Sequence, residues 1–122
     1  MSDENINSVI SIIPVKNFEE TLTWYKRLIG RDPDVVPMEG IAEWQIVGNA
    51  WIQVAIDPDR AGNTNLVICV NDLEVQCKTC SASNLPIGEI EEYPEIIKMA
   101  EIIDPEGNKI SFIQDISNNS DS

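Results

Sequence analysis

Hydrophobic and polar positions follow the same order twice along the chain, and each time they predict a strand, a helix and further strands. The first apolar run, residues 9–15, is rich in β-branched side chains and is interrupted by Pro14, so it predicts a strand that ends near Ile13. Over residues 18–29 the apolar positions recur at spacings of three and four, which predicts a helix with one buried face, closed by Gly30. Asn17 and Glu20 have the spacing of a capping box, so the helix is expected to begin there.

A hairpin is predicted after this helix. The intervening residues 31–37 are rich in Asp and Pro and predict a loop. Two apolar runs, Ile41–Val47 and Ala50–Ile56, then predict strands, and Gly48-Asn49 between them suits a tight turn. The number of residues in that turn fixes how the two strands pair.

The pairing of the hairpin decides which side chains share a face of the sheet. With a two-residue turn, Trp44 lies opposite Gln53, and Trp44, Trp51 and Gln53 lie on one face. A one-residue bulge would shift one strand and place Glu43 and Gln45 on that face instead. The sequence leaves both registers open.

The second half of the chain repeats the order of the first. Its apolar runs predict a strand, a helix and three strands over residues 64–70, 72–83, 87–92, 97–103 and 109–113. The turn-rich residues 57–63 are expected to join modules of about residues 8–56 and 64–114. Both modules are expected to form a single domain over residues 1–115, followed by a disordered acidic tail, residues 116–122.

The repeat resembles a known superfamily. An offset of 55 residues aligns residues 15–19 with 70–74, each at a strand-to-helix junction. With the segments VKNFEETLTWYKRLIG (15–30) and DPEGNKISFIQ (104–114), this order resembles the glyoxalase, bleomycin-resistance and extradiol dioxygenase (vicinal oxygen chelate) superfamily. The resemblance implies an α+β fold of two βαβββ modules, each a curved mixed sheet with a helix on its convex face. It also implies that the modules pair into a half-barrel cleft, commonly in a homodimer.

Charge and composition restrict the partners. Eight Lys and Arg stand against 21 Asp and Glu, which gives a net charge of −13. This charge repels phosphate backbones and anionic lipids, so neither nucleic acid nor a membrane surface is an expected partner. Solubility is the favoured explanation of the charge, and a preference for a cationic or neutral ligand is the alternative. The chain has no apolar stretch typical of a signal peptide or a membrane span, and its three cysteines fit a reducing compartment. The cytoplasm is therefore the expected location.

Several catalytic chemistries are excluded by residue types. The chain contains no histidine, which excludes Ser-His-Asp and Cys-His catalysis and all His-ligated metal sites. Cys77 and Cys80 form a CxxC pair in the middle of the second predicted helix, at positions that align with buried positions of the first helix. Only Cys69 remains as a further thiol, so the pair is expected to pack in the core and not to bind zinc or cycle as a redox pair.

The resemblance also designates four metal-ligand positions, because catalytic relatives hold a divalent metal with side chains from four strands. These positions correspond here to Ile10, Gln53, Asn65 and Ser111. Ile offers no donor atom, and the other three offer only neutral oxygens, so we expect no metal and no other cofactor. Glu43 could supply a carboxylate if the hairpin contains the bulge.

The leading functional hypothesis is a small-molecule-binding protein without a catalytic metal. Its expected ligand-binding residues are Trp44, Trp51, Gln53, Asn65 and Ser111, which combine indole rings with neutral hydrogen-bonding groups and suit a cationic or aromatic molecule. Filling of the interior by both tryptophans is an equally acceptable interpretation. The alternative function is a metal-dependent lyase or dioxygenase of the same superfamily with unusual ligands, and a third is a domain whose cleft is filled by its own side chains.

Overall fold

The computed structural model describes residues 5–117, which form two modules with the same order of elements. The first module contains β1 (Val9–Val15), α1 (Phe18–Ile29), β2 (Val35–Met38), β3 (Ile41–Val47) and β4 (Ala50–Ile56). The second contains β5 (Asn65–Cys69), α2 (Leu73–Ala82), β6 (Glu91–Tyr93), β7 (Ile97–Ile103) and β8 (Lys109–Asp115). The predicted α+β fold of two βαβββ modules is therefore confirmed.

Each module forms a four-stranded mixed sheet with the same topology. The strand order is β1-β4-β3-β2 in the first sheet and β5-β8-β7-β6 in the second. In each sheet the first strand runs parallel to the last, while the last three strands form an antiparallel meander. A parallel pair requires a crossover connection, and the helix of each module lies in that connection.

Alternation along the strands gives each sheet a buried face and a second face away from the helices. In the first sheet Ile13 and Val54 are fully buried and pack in one core with Tyr25 and Leu28 of α1. Ile110 of the second sheet belongs to the same core, which is continuous through both modules. The side chains between these buried positions point away from the helices, because successive side chains of a strand alternate in direction.

We call these surfaces the first and second distal faces. The first distal face comprises Ile10, Ile12, Ile41, Glu43, Gln45, Trp51, Gln53 and Ala55. The second comprises Asn65, Val67, Cys69, Met99, Glu101, Ile103, Lys109, Ser111 and Ile113.

The N-terminus of α1 is capped in a way that differs from the prediction. The Asn17 side chain makes no capping hydrogen bond. Instead, the backbone N–H of Asn17 donates to Oε2 of Glu106 at 2.6 Å, and the Thr21 hydroxyl donates to the same oxygen at 3.1 Å. The predicted capping box is therefore wrong, since a carboxylate from the other module takes its place. At the other end Gly30 closes the helix in a left-handed conformation (φ 91°), as predicted.

The turn between β7 and β8 joins the modules. The Tyr25 hydroxyl donates to Oδ2 of Asp104 at 2.7 Å, and Nδ2 of Asn108 donates to the backbone carbonyl of Pro14 at 3.1 Å. Asp104 and Asn108 are both buried. A second contact lies between the helices, where the Arg27 guanidinium donates to the backbone carbonyl of Ser83. Polar contacts from this turn thus fix one module against the other.

Three strands differ from the prediction. β1 continues through Pro14 to Val15 and does not end near Ile13, because both residues still pair with β4. The residues predicted as the loop 31–37 include most of β2. This short strand is exposed and contains Pro37, so its sequence lacks the alternating apolar pattern that predicts a strand. The strand predicted near residues 87–92 is shorter and begins later, as β6. Of the predicted acidic tail, 116–122, residues 118–122 lie outside the described residues. In the described part of the chain, each helix is too short and too polar to cross a bilayer.

Candidate ligand-binding site

The hairpin of β3 and β4 contains a one-residue bulge. Val47 lies opposite Ala50, but Gln45 lies opposite Trp51, so Ile46 is the additional residue. The predicted register of a bulge-free two-residue turn is therefore wrong, and the alternative register is the one that forms. Every residue of β3 before the bulge consequently points to the side opposite from that expected.

Trp44 is the residue most affected by this shift. It lies opposite Ile52, its side chain is fully buried, and its indole N–H donates to the backbone carbonyl of Arg31 at 3.0 Å. The prediction that Trp44 lines the cleft beside Gln53 is wrong, because its ring lies in the core on the helix side. Burial of this large ring with its N–H group satisfied is a strong reason for the sheet to adopt the bulged register.

Glu43 takes the place predicted for Trp44 on the first distal face. Glu43 lies opposite Gln53, and Nε2 of Gln53 donates to Oε2 of Glu43 at 2.7 Å. Trp51 is half-buried two residues before Gln53 on the same strand, and Ile10 and Ile12 lie beside them on β1. The first distal face is therefore apolar around one indole and one carboxylate.

The second distal face carries the other two predicted residues. Asn65 is exposed and lies opposite Lys109, whereas Ser111 is buried and lies opposite Glu101. The Ser111 hydroxyl donates to Oε2 of Glu101 at 3.5 Å, and Nζ of Lys109 lies 3.7 Å from the same oxygen. This face is therefore charged, but its central carboxylate has a cationic neighbour.

The two faces repeat a pair of residues that the sequence analysis missed. Glu43 and Gln53 lie ten positions apart on antiparallel strands, as do Glu101 and Ser111. The sequence contains this ten-residue spacing in both modules, but the alignment at an offset of 55 compares only the strand-to-helix junctions. A comparison of the two hairpins would have indicated Glu101 as the counterpart of Glu43. It would also have favoured the bulged register, in which Glu43 lies opposite Gln53.

A groove passes between the modules beside Trp51. Its volume is about 600 Å³, and the side chains that line it are uncharged and mostly apolar, among them Ile46, Trp51, Ile52, Leu66, Val67 and Cys69. Gln53, Asn65 and Ser111 do not line this groove. Of the predicted ligand-binding residues, the structure thus brings Trp51 and Gln53 together on one face and places Asn65 and Ser111 on the other.

The four positions designated as metal ligands do not fit a divalent metal. Ile10 has no donor atom, and Gln53, Asn65 and Ser111 offer only neutral oxygens, which bind hard divalent cations weakly without carboxylates. Within residues 5–117, no three His, Cys, Asp or Glu side chains are grouped so that they could hold a metal ion.

The CxxC pair packs against the core. Cys80 is buried, and Cys77 is partly buried against the core. Burial raises the pKa of both thiols, and for Cys77 the nearby Cys80 and Glu74 raise it further. A redox pair requires a thiol of lowered pKa, so the described geometry supports the predicted structural role.

The chain has close structural neighbours of known fold. It superposes on a glyoxalase / bleomycin resistance protein from Catenulispora acidiphila with a TM-score of 0.84 and 25% identity, over 89% of this chain and 98% of the other. TnmS3, an antibiotic-binding protein from Streptomyces sp. CB03234, gives a TM-score of 0.76 at 17% identity, over 94% and 98% of the two chains. A bleomycin-binding protein in complex with bleomycin gives 0.73 at 21% identity, over 90% and 99%. The sequence itself matches no protein-family model and no curated protein.

Proposed function

We propose that this chain, which shares the fold of a glyoxalase / bleomycin resistance protein, is a small-molecule-binding protein without a catalytic metal. The observation that carries the proposal is the first distal face, where the half-buried Trp51 lies among apolar side chains beside the carboxylate of Glu43. A flat ring can stack on the indole, and a positive charge can interact with the carboxylate. The ligand is accordingly a cationic or aromatic small molecule.

Two neighbours support a binding role. One is named as an antibiotic-binding protein and the other contains bound bleomycin, and both share the fold over at least nine tenths of this chain. The net charge of −13 supports the same ligand class, because a negative surface concentrates cations and repels nucleic acid and anionic membranes. Trp51, Gln53, Asn65 and Ser111 remain the proposed ligand-binding residues, joined by Glu43. The cytoplasm remains the expected location.

A homodimer is part of the proposal. On a single chain the distal faces leave large apolar side chains exposed, including Ile12 (54%), Val67 (52%) and Ile103 (52%). Large apolar side chains that stay exposed on sheet faces indicate an interface or a binding groove when they lie together. A second copy that covers part of these faces would enclose the ligand. Light scattering should then give twice the 13.6 kDa mass of the chain at micromolar concentration, whereas a monomer would remove this part of the proposal.

Tryptophan fluorescence tests the binding role directly. Of the three tryptophans, Trp24 and Trp44 are buried and Trp51 is half-buried. Titration with a panel of cationic and aromatic compounds should quench the emission of the wild type and of Trp24→Phe, and Trp51→Ala should lose this response. Absence of any response, or equal quenching in Trp51→Ala, would contradict the proposal.

The second candidate is a metal-dependent lyase or dioxygenase with unusual ligands. It is favoured by the carboxylates of Glu43 and Glu101, which lie next to Gln53 and Ser111 at two of the designated positions. Each distal face nevertheless has only one of these carboxylates next to its designated position. One carboxylate together with neutral oxygens makes a weak metal site. Calorimetric titration with Mn²⁺, Ni²⁺ and Zn²⁺ separates the candidates, because an enzyme of this class would bind one of them tightly and lose it in Glu43→Gln.

A further inference from the structure

The two distal faces carry the same kind of hydrogen-bonded glutamate but differ in local charge. On the second face Nζ of Lys109 lies 3.7 Å from Glu101 and offsets its charge. On the first face Glu43 accepts a hydrogen bond from the neutral amide of Gln53, and it forms no ion pair within residues 5–117. Only the first face therefore presents an uncompensated negative charge at this position.

The Glu43 carboxylate is held in place with one oxygen still available. Nε2 of Gln53 donates to Oε2 at 2.7 Å, which fixes the orientation of the group. Oε1 has no hydrogen-bond partner in the described part of the chain. A half-buried carboxylate with an open oxygen is a strong acceptor for an ammonium group, since a bond between two charged groups is about twice as strong as a neutral one.

Trp51 lies within reach of the same ammonium group. Trp51 and Gln53 point to the same side of β4, and Glu43 lies opposite Gln53, so Trp51 and Glu43 are diagonal cross-strand neighbours. The backbones of diagonal neighbours are about 7–8 Å apart, and long or aromatic side chains interact across this distance, so one alkylated ammonium group can contact both side chains. The face of an indole attracts a cation, most strongly where water is partly excluded.

The groove beside Trp51 defines the remainder of the ligand. It offers about 600 Å³ between uncharged, mostly apolar side chains of both modules, within the usual range of small-molecule sites, about 300–1,000 Å³. A charged group in the groove would find no side chain of opposite charge among the residues that line it. An apolar or aromatic body fits there, and its charge must lie at the end where Trp51 meets the first distal face.

We infer that the first distal face selects organic cations whose aromatic or apolar body lies in the groove against Trp51 and whose ammonium group lies between that indole and the Glu43 carboxylate. Glu43 is thus the specificity-determining residue of the site, and the structurally equivalent Glu101 is not. This inference rests on the proposed function and narrows its ligand class. It depends on the bulge at Ile46, which brings Glu43 to this face.

A pair of probes that differ only in charge tests the inference. Trimethyl(2-naphthylmethyl)ammonium carries its charge on an ammonium group attached to a flat aromatic ring, and 2-neopentylnaphthalene is its uncharged isostere. Each is titrated into the wild type, Glu43→Gln, Glu43→Asp and Glu101→Gln, and binding is followed by probe fluorescence anisotropy. Glu43→Gln keeps an oxygen acceptor for the Gln53 amide, and circular dichroism confirms the fold of each variant.

The wild type should bind the cation at least about tenfold more tightly than the uncharged isostere, which corresponds to about 1.4 kcal/mol. Glu43→Gln should remove this preference without weakening the binding of the isostere, Glu43→Asp should restore part of the preference, and Glu101→Gln should retain it. Equal binding of both probes by the wild type, or a preference that survives Glu43→Gln, would overturn the inference and leave the binding role intact. Failure of the wild type to bind either probe would count against the inference and the proposed function together.

Discussion

Replacing Tyr25 by phenylalanine removes one hydroxyl group from the contact between the two modules. That hydroxyl donates to Oδ2 of Asp104 at 2.7 Å, and the side chains of both residues are buried. Asp104 belongs to the β7–β8 turn of the second module, and Tyr25 lies on α1 of the first. The substitution therefore weakens a buried bond between modules without altering the shape of the ring.

The expected loss is about 2 kcal/mol of unfolding free energy. A hydrogen bond to a charged group contributes about 1.5–3 kcal/mol net. Asp104 keeps three other donors, the backbone N–H groups of Glu106 and Asn108 and the side-chain amide of Asn108, so the carboxylate is not left without partners. The loss is therefore expected in the lower half of that range. With a urea slope of about 2 kcal/mol per molar, the unfolding midpoint should fall by about 1 M.

Urea denaturation followed by circular dichroism measures this loss, and Tyr93→Phe is the matched control. Tyr93 is exposed, and among residues 5–117 its hydroxyl makes only a long contact of 3.4 Å with Glu91. The control should remain within about 0.5 kcal/mol of the wild type. If Tyr25→Phe also stays within that limit, the bond to Asp104 does not stabilise the contact between modules.

Alkaline pH provides a second readout for the same substitution. Burial, together with the charge and hydrogen bond of Asp104, raises the pKa of Tyr25 above its ordinary value of 10.0. Above pH 10 the unfolded chain releases the phenolic proton of Tyr25, while the folded chain keeps it. The contribution of this hydroxyl to the free energy of unfolding is therefore full below pH 10 and declines as pH rises further. The stability gap between the wild type and Tyr25→Phe should therefore narrow above pH 10. A constant gap would contradict the reasoning.

Two further predictions concern a glycine and a thiol. Gly62→Ala should lower the unfolding free energy by more than about 2 kcal/mol in urea denaturation, because Gly62 has a φ of +88° and an added Cβ would lie 2.6 Å from a backbone carbonyl oxygen. Gly30→Ala, with a φ of +91° but open space around the Cβ, should lose only about 1 kcal/mol, and equal losses would contradict this difference. Ellman's reagent should label the exposed Cys69 in the native state, whereas the buried Cys80, whose thiol pKa is raised, should react only on unfolding. Similar labelling rates for both thiols would refute this assignment.

The module architecture was predictable because its signals are local and occur twice. The helical spacing of residues 18–29, the left-handed cap at Gly30 and the turn at 104–108 each specify a short segment, and the repeat confirms the order of segments. Short elements with mixed signals were less predictable. β2 contains Pro37 and exposed side chains, so its pattern resembles a loop.

The hairpin register was not predictable from Gly48-Asn49, because tertiary packing decides it. The turn alone permits a bulge-free pairing, but the bulge at Ile46 lets the indole of Trp44 enter the core and donate to the carbonyl of Arg31. The free energy gained by burying that ring depends on how the helix packs against the sheet, and the hairpin sequence alone does not show this packing. Among the proposed site residues, Glu43 thereby replaced Trp44.

Polar contacts between residues that are far apart in the sequence could not be predicted from local patterns either. Asn17 and Glu20 have the residues of a capping box, but the N-terminus of α1 is capped by Glu106, 89 positions away from Asn17. A carboxylate near a helix N-terminus also interacts favourably with the helix dipole, so the distant residue competes well with a local cap. The sequence contains both Asn17 and Glu106, but it does not show that the two residues lie close together in the folded protein.

Elemental analysis is the most direct test of the central claim, which is that the distal faces bind their ligand without a metal. The protein should be purified without chelator from cells grown with added zinc, iron, nickel and manganese, and analysed by plasma mass spectrometry. We predict far less than one divalent ion per chain, because Ile10, Gln53, Asn65 and Ser111 offer no charged donor. One ion per chain in the wild type, lost in Glu43→Gln, would contradict this claim and would favour the second candidate, a metal-dependent enzyme.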